Sequence, residues 1–221
     1  MKSKPKIFIA CDTTSLIKVK RIIKQSKTNK IKVGYKFGLE FMNSKKGREF
    51  ISSLKNKIIF VDLKLNDTVN TMVSAVKALK DLKINYLTVH ISSGLAALKA
   101  VKKVSGKTKI IGVTTLTSLN DDDLKLIGYN KSVKSLVTHQ AKLANQTALD
   151  AIVCSPYEVN LVRKIFKKEI ITPGVQIGKR NFDQKRSMEA KNVKSDWLVI
   201  GRAITRGNIK KNIHNLSKEL K

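Results

Sequence analysis

The chain has 221 residues, 42% of them apolar, and 45 basic against 16 acidic residues give it a formal net charge of +29. This length suits one domain with one sizeable core. Only 5% of the residues are aromatic and the basic residues are spread over every segment, which argues against a nucleic-acid-binding protein that stacks bases or uses an arginine-rich block.

The sequence carries no sign of a membrane or an oxidising compartment. No run of about 18 apolar residues occurs, so we expect no membrane span. Cys11 and Cys154 are the only cysteines, too few for a disulfide framework. We therefore expect a cytoplasmic protein that does not bind membranes.

Eight short apolar segments that are typical of strands recur along the chain. They are residues 7–12, 29–37, the start of 57–72, 86–90, 109–114, 151–154, 169–172 and 197–200. Amphipathic segments that predict helices lie between most of them. They are a helix capped by Thr13 or Thr14 that runs to about residue 24, and residues 47–54, 69–82, 94–104, 121–127, 133–146, 158–166 and 209–220.

This alternation predicts a (β/α)8 TIM barrel that forms one domain over residues 1–221. Residues 178–196, between the last two strands, are rich in lysine and arginine and too polar to predict a helix. Active sites of such barrels lie at the carboxyl ends of the strands. Polar residues and glycines that lie at or just after those ends are Asp12, Lys36, Asp62, Lys64, Thr117, Ser118, Gly174, Gln184, Gly201 and Arg202.

The third strand ends in two acids that bracket a lysine. Side chains alternate along a strand, so Asp62 and Lys64 share one face with Phe60, and Asp67 follows in the loop. Two carboxylates around one ammonium can hold a proton donor and tune its pKa. The alternative is a salt-bridged strand end at the surface.

Six segments, in order along the chain, resemble the motifs of the orotidine 5′-monophosphate decarboxylase family. They are residues 35–41 (YKFGLEF), 62–71 (DLKLNDTVNT), 112–118 (GVTTLTS), 172–174 (TPG), 183–186 (DQKR) and 199–205 (VIGRAIT). The resemblance implies a homodimer that decarboxylates orotidine 5′-monophosphate to uridine 5′-monophosphate without a metal or an organic cofactor.

The resemblance also implies roles for individual residues. Lys64 would protonate C6 of the pyrimidine, and Asp62 would lie beside the substrate carboxylate. Asp67 would complete the charge network from the partner subunit, whose Thr71 would lie near the ribose. The remaining substrate contacts would be made by Asp12 and Lys36 to the ribose, Thr117 and Ser118 to the pyrimidine, and Gln184, Gly201 and Arg202 to the phosphate.

Two positions depart from the family pattern or fit it in two ways. Gln176 stands where the family has an arginine that binds substrate, and we hypothesise that Lys179 or Arg180 replaces that charge. Lys32 fits the lysine motif of the second strand as well as Lys36 does. We prefer Lys36, which lies closer to the end of the strand.

Other interpretations stay open at this point. A magnesium-dependent sugar-phosphate enzyme of the same barrel superfamily, 3-keto-gulonate 6-phosphate decarboxylase or hexulose phosphate synthase, shares the Asp-x-Lys-x-x-Asp array. A basic protein that binds nucleic acid without catalysis would bind polynucleotides with a strong dependence on salt. His90 ends the fourth strand without a second histidine or cysteine at ligand spacing, so we interpret it as structural.

Overall fold

The computed structural model describes residues 5–176 and 188–220, in which eight parallel strands close into a barrel. The barrel strands are β1 (Lys6–Ala10), β2 (Lys32–Gly38), β3 (Ile58–Leu65), β4 (Tyr86–His90), β5 (Lys109–Val113), β6 (Ala151–Val153), β7 (Glu169–Thr172) and β10 (Trp197–Ile200), while β8 (Val175–Gln176) and β9 (Met188–Glu189) form a separate pair. The order around the barrel is β1-β10-β7-β6-β5-β4-β3-β2. The predicted (β/α)8 barrel is therefore confirmed.

Helices surround the barrel because each buries one apolar stripe against the strands. Within the described ranges, no helix combines the length and apolar character needed to cross a membrane. The helices are α1 (Leu16–Gln25), α2 (Leu39–Met42), α3 (Gly47–Ser53), α4 (Val69–Ala78), α5 (Gly94–Val104), α6 (Asp121–Leu126), α7 (Val133–Gln146), α8 (Val159–Ile165), α9 (Arg202–Thr205) and α10 (Ile209–Glu219).

Several predicted helix boundaries differ from the structure, most of them by one residue, and two of the differences have a clear local cause. Helix α1 is capped by Ser15, whose hydroxyl accepts from the Lys18 amide, and not by Thr13 or Thr14. The predicted helix 69–82 ends at Ala78 and continues as a 3₁₀ turn at Lys80–Leu82. Lys83 then adopts a left-handed conformation with φ of 49°, and this conformation stops the helical path.

The connection between β7 and β10 contains no α-helix in its described part. Two short strands, β8 (Val175–Gln176) and β9 (Met188–Glu189), pair in parallel there. A 3₁₀ turn at Ala190–Asn192 follows. The described part of this connection thus forms no α-helix, in agreement with its polar sequence, which did not predict one.

Aromatic side chains fill the barrel interior. Phe8 stacks on Trp197 with ring centroids 4.1 Å apart and meets Phe60 and Tyr86 edge to face. Gly34 of β2 makes room for this packing, since a Cβ there would lie 2.7 Å from the Phe8 ring. The aromatic layer closes the interior below the carboxyl ends of the strands.

One carboxylate organises the amino-terminal end of the barrel. Glu169 accepts hydrogen bonds from the Lys109 ammonium at 2.8 Å, the Tyr86 hydroxyl at 2.9 Å and the Trp197 indole N–H at 3.2 Å. Lys6 lies 3.7 Å from its other side. Burial works against the charged carboxylate, but these donors together hold the pKa of Glu169 below its ordinary value.

A second device recurs at the same end of the barrel. Asn85, Asp150 and Asp196 each stand just before a strand, and each side chain accepts the amide N–H of an isoleucine near the start of the neighbouring strand. The backbone N–H of each returns a bond to that same isoleucine's carbonyl. These clamps join β3 to β4, β5 to β6 and β7 to β10, and they satisfy amides at the edge of the barrel.

Candidate active site

Strand β3 carries the acid and the lysine of the predicted array through an irregular region. Its pairing with β4 runs from Val61 opposite Leu87 directly to Leu65 opposite Val89, so the segment 62–64 lies opposite one β4 residue. Such a bulge re-aims side chains. Within it, Lys64 has a φ of 51°, which costs a non-glycine residue about 1–2 kcal/mol.

Four charged side chains form an alternating chain at the carboxyl ends of the first three strands. The Lys36 ammonium lies 3.0 Å from Asp12 Oδ1 and 3.4 Å from Asp62 Oδ2. The Lys64 ammonium lies 2.9 Å from Asp62 Oδ1. Gly38, the last residue of β2, lies beside this pair, and a Cβ there would be in ordinary van der Waals contact with Asp12 Oδ1 and Lys36 Nζ, 3.4 Å from each.

The pKa shifts keep the centre of this array charged. Burial raises the pKa of Asp62, but the Lys36 and Lys64 ammoniums and the Thr88 hydroxyl outweigh burial and lower it below its ordinary value. Burial likewise opposes the charge on Lys36, but the Asp62 and Asp12 carboxylates raise its pKa. A buried carboxylate and a buried ammonium therefore coexist at neutral pH.

The array borders a cavity of about 360 Å³, a size typical of small-molecule sites. Phe60 and Val199 of the barrel interior contribute to its apolar lining. Nine residues that the sequence predicts for the site line the cavity. They are Asp12, Lys36, Asp62, Lys64, Thr117, Gly174, Gln176, Gly201 and Arg202.

The rest of the cavity lining comes from the segments after β5, β7 and β10. Thr115 lines the cavity, and its amide and hydroxyl both donate to the side-chain carbonyl of Gln140 on α7, at 2.9 and 3.2 Å. The buried side-chain amide of Gln140 thus anchors the loop that carries Thr117. Gly201 and Arg202 follow β10 at the entry to α9.

Three predicted site residues lie outside the lining of the cavity in the single chain. Asp67, Thr71 and Ser118 are exposed. Asp67 accepts from the Thr68 amide, and the Thr71 and Thr68 hydroxyls lie 3.1 Å apart. The roles of these three residues, like those of the predicted residues that line the cavity, stay predictions.

The remaining predictions divide between the described and undescribed parts of the chain. Lys32 is exposed at the start of β2, at the end of the strand away from the cavity. The structure therefore brings Lys36 and not Lys32 to the site. Gln184 and the proposed substitutes Lys179 and Arg180 lie outside the described residues.

Sequence reasoning did not identify Thr88 and Gln140. Thr88 is fully buried on β4, and its hydroxyl contacts both Asp62 and the backbone of Lys64. A threonine two residues after Tyr86 on the inner face of a strand was a possible signal. Its meaning depends on the register break in β3, which the residue pattern does not reveal.

A closed parallel barrel whose carboxyl end holds a charged array beside a cavity defines the class of TIM-barrel enzymes. Residues 5–212 match the sequence profile of the orotidine 5′-phosphate decarboxylase / HUMPS family. The chain belongs to this family. Its similarity to proteins named orotidine 5′-phosphate decarboxylase makes it a decarboxylase of the lyase type.

Two relatives match this chain over about nine tenths of its length. The orotidine 5′-phosphate decarboxylase of Wolbachia sp. subsp. Brugia malayi (strain TRS) is 41% identical over 212 residues, covering 91% of this chain and 92% of the relative. The protein of the same name from Buchnera aphidicola subsp. Acyrthosiphon pisum (strain APS) is 38% identical over 217 residues, covering 91% and 89%.

Two solved structures resemble this chain over nearly its whole length. Orotidine 5′-phosphate decarboxylase from Lactobacillus acidophilus superposes with a TM-score of 0.83 at 28% identity, covering 99% of both chains. The orotidine 5′-monophosphate decarboxylase from Methanocaldococcus jannaschii, complexed with the inhibitor BMP, gives a TM-score of 0.79 over 99% of both chains. At 22% identity, the second likeness concerns the fold alone.

Proposed function

We propose that the protein decarboxylates orotidine 5′-monophosphate to uridine 5′-monophosphate, with Lys64 as the proton donor and without a metal or an organic cofactor. The observation that carries the proposal is the alternating Asp12-Lys36-Asp62-Lys64 array at the edge of the cavity. Family membership and the names of the relatives support the choice of substrate.

The array suits the chemistry of this decarboxylation. Loss of carbon dioxide leaves negative charge on one ring carbon with little delocalisation, so the site must stabilise charge at that carbon. Lys64 carries a fixed ammonium held by Asp62, and transfer of its proton to the carbon ends the reaction. Asp62 would lie beside the substrate carboxylate and disfavour the bound ground state relative to the transition state.

The rest of the cavity offers partners for the other parts of the nucleotide. Asp12 and Lys36 would bind the ribose hydroxyls, and Thr117 would meet the polar edge of the pyrimidine. Gln176, Gly201 and Arg202 would receive the phosphate, which matches their position in the cavity lining just after β7 and β10, where phosphate sites of such barrels commonly form. The net charge of +29 would draw an anionic substrate towards the protein.

We also propose a homodimer in which Asp67 and Thr71 complete the partner's site. Both residues lie just after β3 and are exposed, outside the lining of their own chain's cavity. Three exposed apolar side chains on the helices after β2, β3 and β4, namely Leu39, Val69 and Leu95, lie on the same side of the barrel. A shared apolar interface there would bring the acid of one subunit to the array of the other.

The direct test follows the absorbance of orotidine 5′-monophosphate with wild type and Lys64→Ala in the presence of a chelator. We expect rapid loss with the wild type and a rate at least about 10³-fold lower with the variant, because the proton donor is gone. If a chelator abolishes the wild-type rate, or if only sugar phosphates react when magnesium is added, the magnesium-dependent alternative replaces this proposal.

A mixing experiment tests the shared site. Lys64→Ala and Asp67→Ala should each be inactive alone. After the subunits exchange, about half of the dimers are mixed, and in each of these one site carries neither substitution, so about a quarter of the wild-type sites reappear. No recovery in a mixture shown to contain mixed dimers would place Asp67 outside the partner's site.

A further inference from the structure

The hydroxyl of Thr88 bonds two residues of β3, the backbone amide of Lys64 and the side chain of Asp62. Thr88 lies in the middle of β4 and is completely buried. Its Oγ1 accepts from the Lys64 amide at 2.9 Å and lies 3.0 Å from Asp62 Oδ1, to which it donates. The described lining of the cavity does not include Thr88, so it acts on the array from behind.

The two bonds fix the direction of the hydroxyl proton. A threonine hydroxyl has one hydrogen to donate. The Lys64 amide donates to Oγ1 and does not use this hydrogen, so the hydroxyl can donate it to the carboxylate of Asp62. Asp62 Oδ1 thus receives two donors, Thr88 Oγ1 and Lys64 Nζ, while Oδ2 faces Lys36.

The position of Thr88 coincides with the register break. Residues 62–64 of β3 have only Thr88 opposite them between the regular pairs Val61–Leu87 and Leu65–Val89. In this bulge, the amide of Lys64 turns to a side chain for its acceptor. Without the hydroxyl, that partly buried amide would lose its partner and the left-handed conformation of Lys64 would lose a restraint.

We propose that Thr88 is a positioning residue for proton transfer, which holds the bulge of β3 and the carboxylate of Asp62 in one arrangement so that the Lys64 ammonium stays aimed at the substrate. This inference rests on the proposed function of Lys64. It adds a residue whose effect passes through two others and does not require contact with the substrate.

The matched variants are Thr88→Val, which keeps the shape but removes the hydroxyl, and Thr88→Ser, which keeps the hydroxyl. Thr88→Val should lower kcat about 10- to 100-fold, as expected when a proton-transfer group is misplaced. KM should change by less than about threefold, since substrate contacts remain. Thr88→Ser should restore kcat to within about threefold of the wild type.

A control separates positioning from the simple loss of a buried hydroxyl. Thr147 is buried at the end of α7, and its hydroxyl donates to the Leu143 carbonyl, away from the charged array. Thr147→Val should lower the melting temperature and leave kcat unchanged. If Thr88→Val is folded and keeps wild-type kcat, or if serine and valine at this position are equally impaired, the inference is wrong.

The pH profile provides a readout that a structural role would not move. The titratable groups around Asp62 are Lys36 from β2, Lys64 from its own strand, His90 from β4 and, beyond Lys36, Asp12 after β1. The Thr88 hydroxyl is one of the groups that lower the pKa of Asp62. Removal of the hydroxyl in Thr88→Val should therefore raise the pKa of Asp62 and shift the acid limb of the kcat–pH profile to higher pH. Thr88→Ser keeps the hydroxyl and should show the wild-type profile.

Amide hydrogen exchange of Lys64, followed by NMR on the isotope-labelled protein, tests the inference independently of activity. Exchange should be slow in the wild type and Thr88→Ser and faster in Thr88→Val. If the wild type does not act on orotidine 5′-monophosphate, the proposed function fails, but the exchange rates still test whether Thr88 restrains the Lys64 amide. Equal exchange in the wild type and Thr88→Val would show that Thr88 does not restrain this amide.

Discussion

The two ends of the barrel use the same kinds of side chain in opposite ways. At the amino-terminal end, Glu169 is surrounded by Lys6, Tyr86, Lys109 and Trp197, and its hydrogen-bonding capacity is used within the protein. At the carboxyl end, Asp62 is held by lysines that also face a cavity. Saturated charges stabilise a fold, whereas charges that open onto a cavity remain available to a substrate.

The backbone follows the same division. At the amino-terminal end, Asn85, Asp150 and Asp196 satisfy strand amides in one repeated geometry. At the carboxyl end, β3 breaks register and Lys64 adopts a left-handed conformation. Strained backbone is typical of functional sites, where the surroundings hold it in place. We therefore expect substitutions at the two ends to separate activity from stability.

The largest expected effect is that of Lys64→Gly. Glycine tolerates positive φ, so relief of strain offsets the lost ion pair and the free energy of unfolding should stay within about 1 kcal/mol of the wild type. Decarboxylation should fall at least about 10³-fold. Lys83→Gly is the matched control, because Lys83 is an exposed lysine with φ of 49° away from the site. It should keep full activity, and a similar loss in both variants would contradict the division.

The second effect distinguishes the two lysines of β2. Lys36→Met should lower kcat/KM about 10²- to 10³-fold. The substitution removes the ammonium that lies between the carboxylates of Asp12 and Asp62, so neither keeps its ion pair with Lys36. Lys32→Met should leave kcat/KM unchanged, since Lys32 is exposed at the other end of the strand. Steady-state kinetics on both variants decides the matter, and the reverse result would assign the network lysine to Lys32.

At the other end of the barrel, Glu169→Gln should reduce stability without reducing kcat. We expect a loss of about 1–2 kcal/mol at pH 7, because the charge-assisted bonds from Lys109 and Tyr86 weaken. Burial and Glu169 raise the pKa of Tyr86 to about 12, so the Tyr86 hydroxyl remains a donor.

The pH dependence of that loss follows from the sign of the shift. The folded chain lowers the pKa of Glu169, so its contribution is complete above the pKa of the unfolded state. The contribution is lost as the pH falls through the folded-state value. Denaturant unfolding at several pH values should therefore show the two proteins converging in acid. A constant difference would mean that the charge of Glu169 is not the cause.

The smallest effect concerns one strand clamp. Asp150→Asn keeps an oxygen for the Ile110 amide but loses the charge that pairs with Lys102 at 2.7 Å. We expect a loss of about 0.5–1 kcal/mol, since Asn85 already performs the same task as a neutral amide. Asp150→Ala should cost about 1–3 kcal/mol, because the amide loses its partner. Chemical denaturation measures both, and equal costs would show that the oxygen is unimportant.

Much of the fold and of the array could be predicted because each depends on local pattern. The alternation of apolar segments predicted the strands, and the strand ends gathered Asp12, Lys36, Asp62 and Lys64 at one end of a barrel, where the structure has them. Helices α5 and α7 begin and end at the predicted residues, since each has a clear apolar stripe.

The parts that could not be predicted depend on contacts between distant segments. Thr88 acquires its role from the register of β4 against β3, and Gln140 acquires its role from the packing of α7 against the loop after β5. The Asx clamps likewise need the neighbouring strand to be in place. The proposed placement of Asp67 and Thr71 in a partner's site stays a prediction, because both residues are exposed and lie outside the lining of their own chain's cavity.

The most direct measurement uses orotidine 5′-monophosphate with isotopic carbon in its carboxylate. The wild type, Lys64→Gly and Lys83→Gly are assayed together for labelled carbon dioxide and for uridine 5′-monophosphate. We predict equal amounts of both products from the wild type and Lys83→Gly, and almost none from a folded Lys64→Gly. Absence of labelled carbon dioxide from the folded wild type, or full release by Lys64→Gly, would contradict the account.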